Sequence, residues 1–234
     1  VSGLSKGSIL GIHESNSTVY LASGNKGLLV FDKKSKSISK VKTTFKGGGY
    51  CILRENDSII WLGGTSKGLL RFNEFTKESE VFKTDTLNPN SISQNTIRCA
   101  FKDKDGRLWF GAYGNGLNLY HSETKSFTVY RNDPTDSNSI SDNTIMSIYQ
   151  DQSTAIWVGT GTGGLNRFDV NTSKFHRSRG NDMLGNGISI TAIQEDSKNN
   201  LWVATTTGLV QVNRVNGKDS YTKYSSKDGL PSDR

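Results

Sequence analysis

The chain has 234 residues, a formal charge of +7 from 29 Lys and Arg against 22 Asp and Glu, and 33% apolar residues. No apolar run reaches the roughly 18 residues that a membrane-spanning helix requires. The basic residues, Lys33, Lys34, Lys40, Lys42, Lys46, Arg177 and Arg179 among them, are scattered rather than gathered in a stripe with stacking aromatics, which argues against nucleic-acid binding.

In chain order, five segments (1–48, 49–95, 96–143, 144–188 and 189–234) each carry a version of one phrase. It reads VYLAS at 19–23, IWLGG at 60–64, LWFGA at 108–112, IWVGT at 156–160 and LWVAT at 201–205. The aromatic positions 20, 61, 109, 157 and 202 lie 41, 48, 48 and 45 residues apart. An acidic residue stands six positions before each (Glu14, Glu55, Asp103, Asp151, Asp196), and a Gly-Leu pair follows it. A fixed period of that length marks a repeat architecture.

The third copy shows what the unit is. Residues 96–103 alternate at period two, a turn at Lys104-Asp105-Gly106 leads into 107–112, and LNLY at 117–120 and FTVY at 127–130 follow after polar turns. No stretch has apolar residues at helical spacing, so the unit is a four-stranded antiparallel meander. Such a sheet cannot bury both its faces alone. Copies of it must stack, and stacked four-stranded units of this period are β-propeller blades. The expected fold is therefore all-β, a propeller with five blades present.

The recurring residues fit blade packing. Tyr20, Trp61, Trp109, Trp157 and Trp202 would each wedge a ring between neighbouring sheets, while Gly63, Gly111 and Gly159, with Ala22 and Ala204 in the outer copies, let the next sheet approach. The glycines before leucine (Gly27, Gly68, Gly116, Gly164, Gly208) suit a loop position of positive φ. The repeated acids read as turn-initiating residues that bond nearby backbone N–H groups. Cys51 and Cys99 stand ten residues before their tryptophans, where the other copies have Leu10, Ser147 and Ala192, and read as packed thiols in a small-residue slot rather than a disulfide.

These phrases resemble the two-component-regulator propeller repeat. The best copy reads Asn143-Thr144-Ile145, Asp151, Ile156-Trp157-Val158-Gly159-Thr160, Gly163-Gly164-Leu165-Asn166-Arg167-Phe168-Asp169 and Phe175. The linkers 90–97 and 138–145 are near-identical, and the first and last copies depart most from the pattern. The resemblance implies the extracytoplasmic, periplasmic sensor region of a hybrid two-component histidine kinase. Its partners would be an oligosaccharide or other small ligand, the rest of the same sensor and a second copy in a homodimer, with membrane contact only through other segments. It also implies a larger propeller of about seven blades. Aligned on the linker, Leu230 matches Ile140 and Asp233 matches Asn143, so a further blade is expected to start at Arg234.

No catalytic, metal or cofactor site is expected in this segment. His13, His121 and His176 occupy three different repeat positions, and no His-Glu-x-x-His, nucleophile elbow or Walker loop occurs. GTGTGG at 159–164 joins two strands rather than a strand and a helix. Two other readings stay open: a lyase resembling streptogramin lyases, which would need a clustered His and Mg²⁺ site, and a noncatalytic interaction or dimerisation module.

A ligand site is placed by topology. Linkers 83–95, 131–143 and 179–188 emerge on the same face as loops 24–27, 65–67, 113–115 and 161–163, and loops on a rigid scaffold carry specificity. Tyr50, Arg98 and Met146 share a position at the mouth of the innermost strand; Tyr113 and Asn115 lie on the adjoining loop. These five are the candidate ligand-binding residues.

Overall fold

The computed structural model describes residues 7–15, 17–178, 181–215 and 218–233. Arg179, Arg234 and part of the linker 179–188 lie outside the described residues, and with Arg234 the expected start of a further blade. Among the described residues, five four-stranded antiparallel sheets follow one another along the chain. The first is β1 (Ile9–Glu14), β2 (Thr18–Ser23), β3 (Gly27–Asp32) and β4 (Ser37–Lys40); the second is β5 (Gly49–Arg54), β6 (Ile59–Gly64), β7 (Leu69–Asn73) and β8 (Ser79–Phe82). The third is β9 (Ile97–Lys102), β10 (Leu108–Ala112), β11 (Leu117–His121) and β12 (Ser126–Tyr130). The fourth is β13 (Ile145–Gln150), β14 (Ile156–Thr160), β15 (Leu165–Asp169) and β16 (Lys174–Arg177). A single helical turn, α1 (Asn181–Leu184), precedes the fifth sheet of β17 (Ile190–Glu195), β18 (Leu201–Thr205), β19 (Gly208–Val215) and β20 (Lys218–Tyr224). Each sheet is ordered as a simple meander, which is the blade expected from the repeat.

The chain divides into two compact units, Val1–Ala112 with Asn118–Val129, and Tyr113–Leu117 with Tyr130–Arg234. In the first unit, one seam joins the first two sheets through Tyr20, Ala22 and Leu28 against Ile60, Leu62, Leu70 and Phe72. A second joins the next pair through Ile59, Trp61 and Leu69 against Ile97, Leu108, Phe110, Tyr120 and Phe127. In the second unit, Ala155, Trp157 and Leu165 pack on Ile190, Leu201, Val203 and Val210. Each of these three seams also receives a fully or nearly buried apolar side chain from the linker between its sheets: Phe45, Ile92 and Leu184. The ring wedge expected from the repeat is what closes these seams. Trp109 is likewise fully buried, whereas Trp202 is half-buried and stacks on Tyr224 of its own sheet, ring centroids 5.7 Å apart.

The small residues opposite the rings leave no room for growth. A Cβ at Gly63 would stand 2.8 Å from Ile97 O and nearer still to Cys51 Sγ. At Gly159 it would stand 2.6 Å from Ile190 Cγ2. Gly164 has φ +79°, and a Cβ there would strike the carbonyls of Leu184 and Gly185, so that loop admits only glycine on two counts.

The acids do more than open turns. Asp103 Oδ2 accepts from Trp109 Nε1 at 2.9 Å, Asp151 Oδ2 from Trp157 Nε1 at 2.7 Å, and Asp196 Oδ2 from Trp202 Nε1 at 2.9 Å. Glu55 Oε2 takes the Trp61 indole at 2.8 Å. The second oxygen of each aspartate accepts turn N–H groups: from Asp105 and Arg107, from Ala155, and from Lys198 and Asn200. Each carboxylate thus ties the first hairpin to the ring that wedges the seam.

The first sheet departs from the expected alignment. His13 pairs with Tyr20 seven residues away, whereas Leu53 pairs with Trp61 across eight, so the first hairpin is one residue shorter. The residue equivalent to Cys51 is therefore Gly11, which pairs with Ala22, and not Leu10. Glu14 is likewise shifted out of the acid position. It makes an ion pair with Lys33, and Tyr20 instead donates its hydroxyl to Glu74 of the next sheet at 2.9 Å.

The long linkers bond mostly to themselves. Ser91 Oγ accepts from Asp85 N at 3.0 Å and donates to Asp85 O, and Ser139 repeats this with Asp133. Buried Asn118 and Asn166 accept from Ser93 N and Ser141 N at 2.8 and 3.1 Å, fixing each linker to the following sheet. One turn is strained: Thr154, exposed, has φ 70° where the third sheet has Gly106 and the fifth Asn199. A β-branched residue is disfavoured there, so Thr154→Gly is expected to raise the thermal midpoint, a gain of about 1 kcal/mol.

Candidate ligand-binding site

The innermost strands β1, β5, β9, β13 and β17 share a defect. In each, the pairing with the next strand slips by one residue: between Ile9 and Gly11, Gly49 and Cys51, Ile97 and Cys99, Ile145 and Ser147, and Ile190 and Ala192. Leu10, Tyr50, Arg98, Met146 and Thr191 are the extra residues of these β-bulges. A bulge takes one residue out of the ladder and re-aims its side chain. Repeated at the same register position of every sheet, it gives each sheet one side chain free to differ while the ladder stays constant.

Beneath each bulged residue lies the small-residue slot, and its contents are chemically active in packing. At two of the bulges the carbonyl before the extra residue accepts from the slot residue of the neighbouring sheet. Cys51 Sγ donates to Ile97 O at 3.8 Å, and Ser147 Oγ donates to Ile190 O at 3.1 Å. Cys51 is thus a hydrogen-bonding group as well as a small apolar one, and neither cysteine is in a disulfide. Burial pushes the Cys51 thiol up to about 12 and the Cys99 thiol higher still, so both stay protonated and uncharged.

Two of the five candidate residues meet. The Arg98 guanidinium carbon lies 5.5 Å above the centre of the Tyr50 ring, with β5 and β9 side by side in the first unit. Both residues are half-buried. Leu10 completes the row in that unit and is 47% exposed. Met146 and Thr191 occupy the bulges of the second unit, where Thr191 Oγ1 donates to Ala204 O at 3.3 Å. Tyr113 and Asn115 lie on the loop between β10 and β11, which belongs to the second unit; Tyr113 is exposed and Asn115 half-buried. Leu10 and Thr191 are equivalents outside the five candidates: Thr191 stands at the same distance of eleven from its tryptophan, whereas the shortened hairpin puts Leu10 at ten from Tyr20.

The second unit also has a polar cleft of about 440 Å³ beside its linkers, lined by Asn132, Ser141, Gly163, Arg177 and Asn186 among others. The histidines do not converge on any site. His121 Nε2 lies 2.8 Å from Thr128 Oγ1, His176 pairs across its hairpin with Arg167, and burial and the Arg54 charge lower the pKa of His13. Among the described residues no group of three His, Cys, Asp or Glu is placed to hold a metal, and no helix is long and apolar enough to cross a membrane.

Consecutive four-stranded meanders, packed face to face within each unit and carrying variable residues on inner-strand bulges, make this a β-propeller protein. Residues 91–114, 139–162 and 184–207 match the family model described as two component regulator propeller. No curated protein matches the chain. Among solved structures, it is similar to the extracellular domain of BT4673, a B. thetaiotaomicron protein described as a hybrid two component system, with TM-score 0.78 and 20% identity over 96% of this chain and 29% of that one. The extracellular domain of BT3049 from the same organism, also described as a hybrid two component system, gives TM-score 0.52 and 18% identity over 98% and 37% of the two chains. YCF48 bound to D1 peptide gives 0.68 and 11% over 100% and 72%. The chain therefore spans less than a third of the length of the BT4673 structure.

Proposed function

We propose that this chain is a sensor propeller of a hybrid two-component signalling protein. It stands outside the cytoplasm, in the periplasm, and binds an oligosaccharide without turning it over. Binding is passed to the rest of the same receptor, in a homodimer, and through a histidine kinase borne on other segments regulates polysaccharide-utilisation genes. The observation that carries this reading is the match of three repeats to the two-component-regulator propeller. The extracellular placement of the BT4673 and BT3049 domains supports the location. The bulge row supports binding rather than catalysis, since it varies between an aliphatic, a phenol, a guanidinium, a thioether and a hydroxyl with no nucleophile–base pair among them.

The test is a thermal-shift screen of the 234-residue chain against neutral and acidic oligosaccharides, with free amino acids and peptides as controls. A sugar at a hundredfold its Kd adds about 2.7 kcal/mol to the stability of the folded state and raises the midpoint by several degrees. Product analysis of the same mixtures should show the sugar unchanged. A shift with peptides alone, or cleavage of a bound sugar, would overturn the reading.

A further inference from the structure

We infer that the Tyr50–Arg98 pair seats an anionic group of the ligand, so that the oligosaccharide recognised here is an acidic one, carrying a carboxylate or a sulfate. The inference rests on the sugar-sensing reading above and adds the charge of the ligand to it.

Among the described side chains, Arg54, Arg71, Arg98 and Arg107 are half-buried, while Arg131, Arg167 and Arg177 are exposed. Three of the half-buried four have a carboxylate partner: Arg54 with Glu74, Arg71 with Glu55, and Arg107 with Asp103. Arg98 has none, and its close neighbour is the Tyr50 ring at 5.5 Å. A guanidinium partly removed from water is expected to find an anion. Stacking on an aromatic face leaves the edge of its planar fork unspent, and that edge matches a carboxylate or sulfate in two parallel hydrogen bonds.

The surroundings keep the place open to an anion. Beneath the pair, Cys51 and Cys99 hold their protons, so no thiolate neutralises Arg98 from below. The bulge row contains no acid in either unit: Leu10, Tyr50, Arg98, Met146, Thr191. Both residues stand on bulges, positions where side chain identity is not dictated by the ladder. Stability alone does not explain a stacked, uncompensated arginine at such a position. The Tyr50 ring lies against the guanidinium, and a phenol can accept from or donate to a sugar hydroxyl.

Calorimetry with three size-matched tetrasaccharides tests this: an oligogalacturonate, a sulfated chondroitin fragment and a neutral cello-oligosaccharide. One or both anionic sugars should bind, with affinity falling as salt is raised, and which of them binds identifies carboxylate or sulfate as the source of the charge. Arg98→Gln should weaken that binding about tenfold or more, as loss of a bidentate charged contact implies. Arg98→Lys should recover only part of it, and Tyr50→Leu should weaken it with the charge intact, all three variants keeping the parent thermal midpoint. If the neutral sugar binds equally to the parent and to Arg98→Gln, the inference fails while sugar sensing stands. If no sugar of either kind binds, both fall together.

Discussion

Trp61→Ala is expected to destabilise the protein by about 4 kcal/mol, the upper range for deleting a fully buried indole. Trp61 has no exposed surface. Its ring contacts Phe82, Phe110 and Tyr120 at centroid separations of 5.5, 5.1 and 4.9 Å, the last edge-on. Those partners come from three strands of two sheets, so the cavity cannot be closed by a shift of one side chain. Glu55 would also lose its indole donor and keep only Arg71 at 3.5 Å. Since a domain's whole stability is about 5–15 kcal/mol, the loss would take about a quarter of it or more. Urea unfolding gives the loss, and hydrogen exchange should show it concentrated in β6, β9 and β10. Trp202→Ala is the contrast. That ring is half-buried and stacks on a single aromatic of its own sheet, so its loss should be no more than about half as large.

The period and the strands were legible because blade packing forces the same side chains to recur. A ring wedge and a small residue two positions later are needed at every seam, so Trp61 with Gly63 and Trp157 with Gly159 announce themselves in spacing. What could not be read was anything depending on hairpin length. Counting back a fixed number from each aromatic placed Leu10 with Cys51 and Glu14 with Glu55. The first hairpin is shorter by one residue, which moves Leu10 onto the bulge and Glu14 out to Lys33. That residues 50, 98 and 146 are equivalent follows from their common distance of eleven to the tryptophan. That they sit on bulges does not, because an unpaired residue leaves no compositional trace. The contact between Arg98 and Tyr50 depends in turn on two adjacent inner strands at matched height, a relation between residues 48 apart that no local pattern encodes. The linkers hid their internal order: nothing in their Asn- and Ser-rich composition shows that Ser91, Ser139, Asn118 and Asn166 spend hydrogen bonds holding them in place.

The same shift in alignment yields a prediction that separates two acids the repeat makes look alike. Asp151→Ala is expected to cost about 3 kcal/mol, because two buried N–H groups lose their acceptor at about 1–3 kcal/mol each. Asp151 is fully buried and accepts from Trp157 Nε1 at 2.7 Å and Ala155 N at 2.9 Å, with Ser153 Oγ at 2.7 Å. Asp151→Asn should cost less, since its amide oxygen still serves Ala155 while its NH₂ faces the indole. Glu14→Ala, also six residues before its aromatic, should leave the melting curve unchanged, because Glu14 is exposed and pairs only with Lys33 among the described residues, while Tyr20 is held by Glu74. Acid titration gives an independent check through Asp196, whose carboxyl is held below the ordinary range first by the Trp202 indole and then by Asn200. A depressed carboxylate contributes fully above its unfolded value of about 4 and loses that contribution as the pH falls through the folded value. Trp202 emission should therefore change below about pH 4 in the parent protein, and Asp196→Asn should remove that part of the acid dependence. If Glu14→Ala destabilised the chain as much as Asp151→Ala, the carboxylate would be acting through turn formation common to all five repeats, and the indole bond would be incidental.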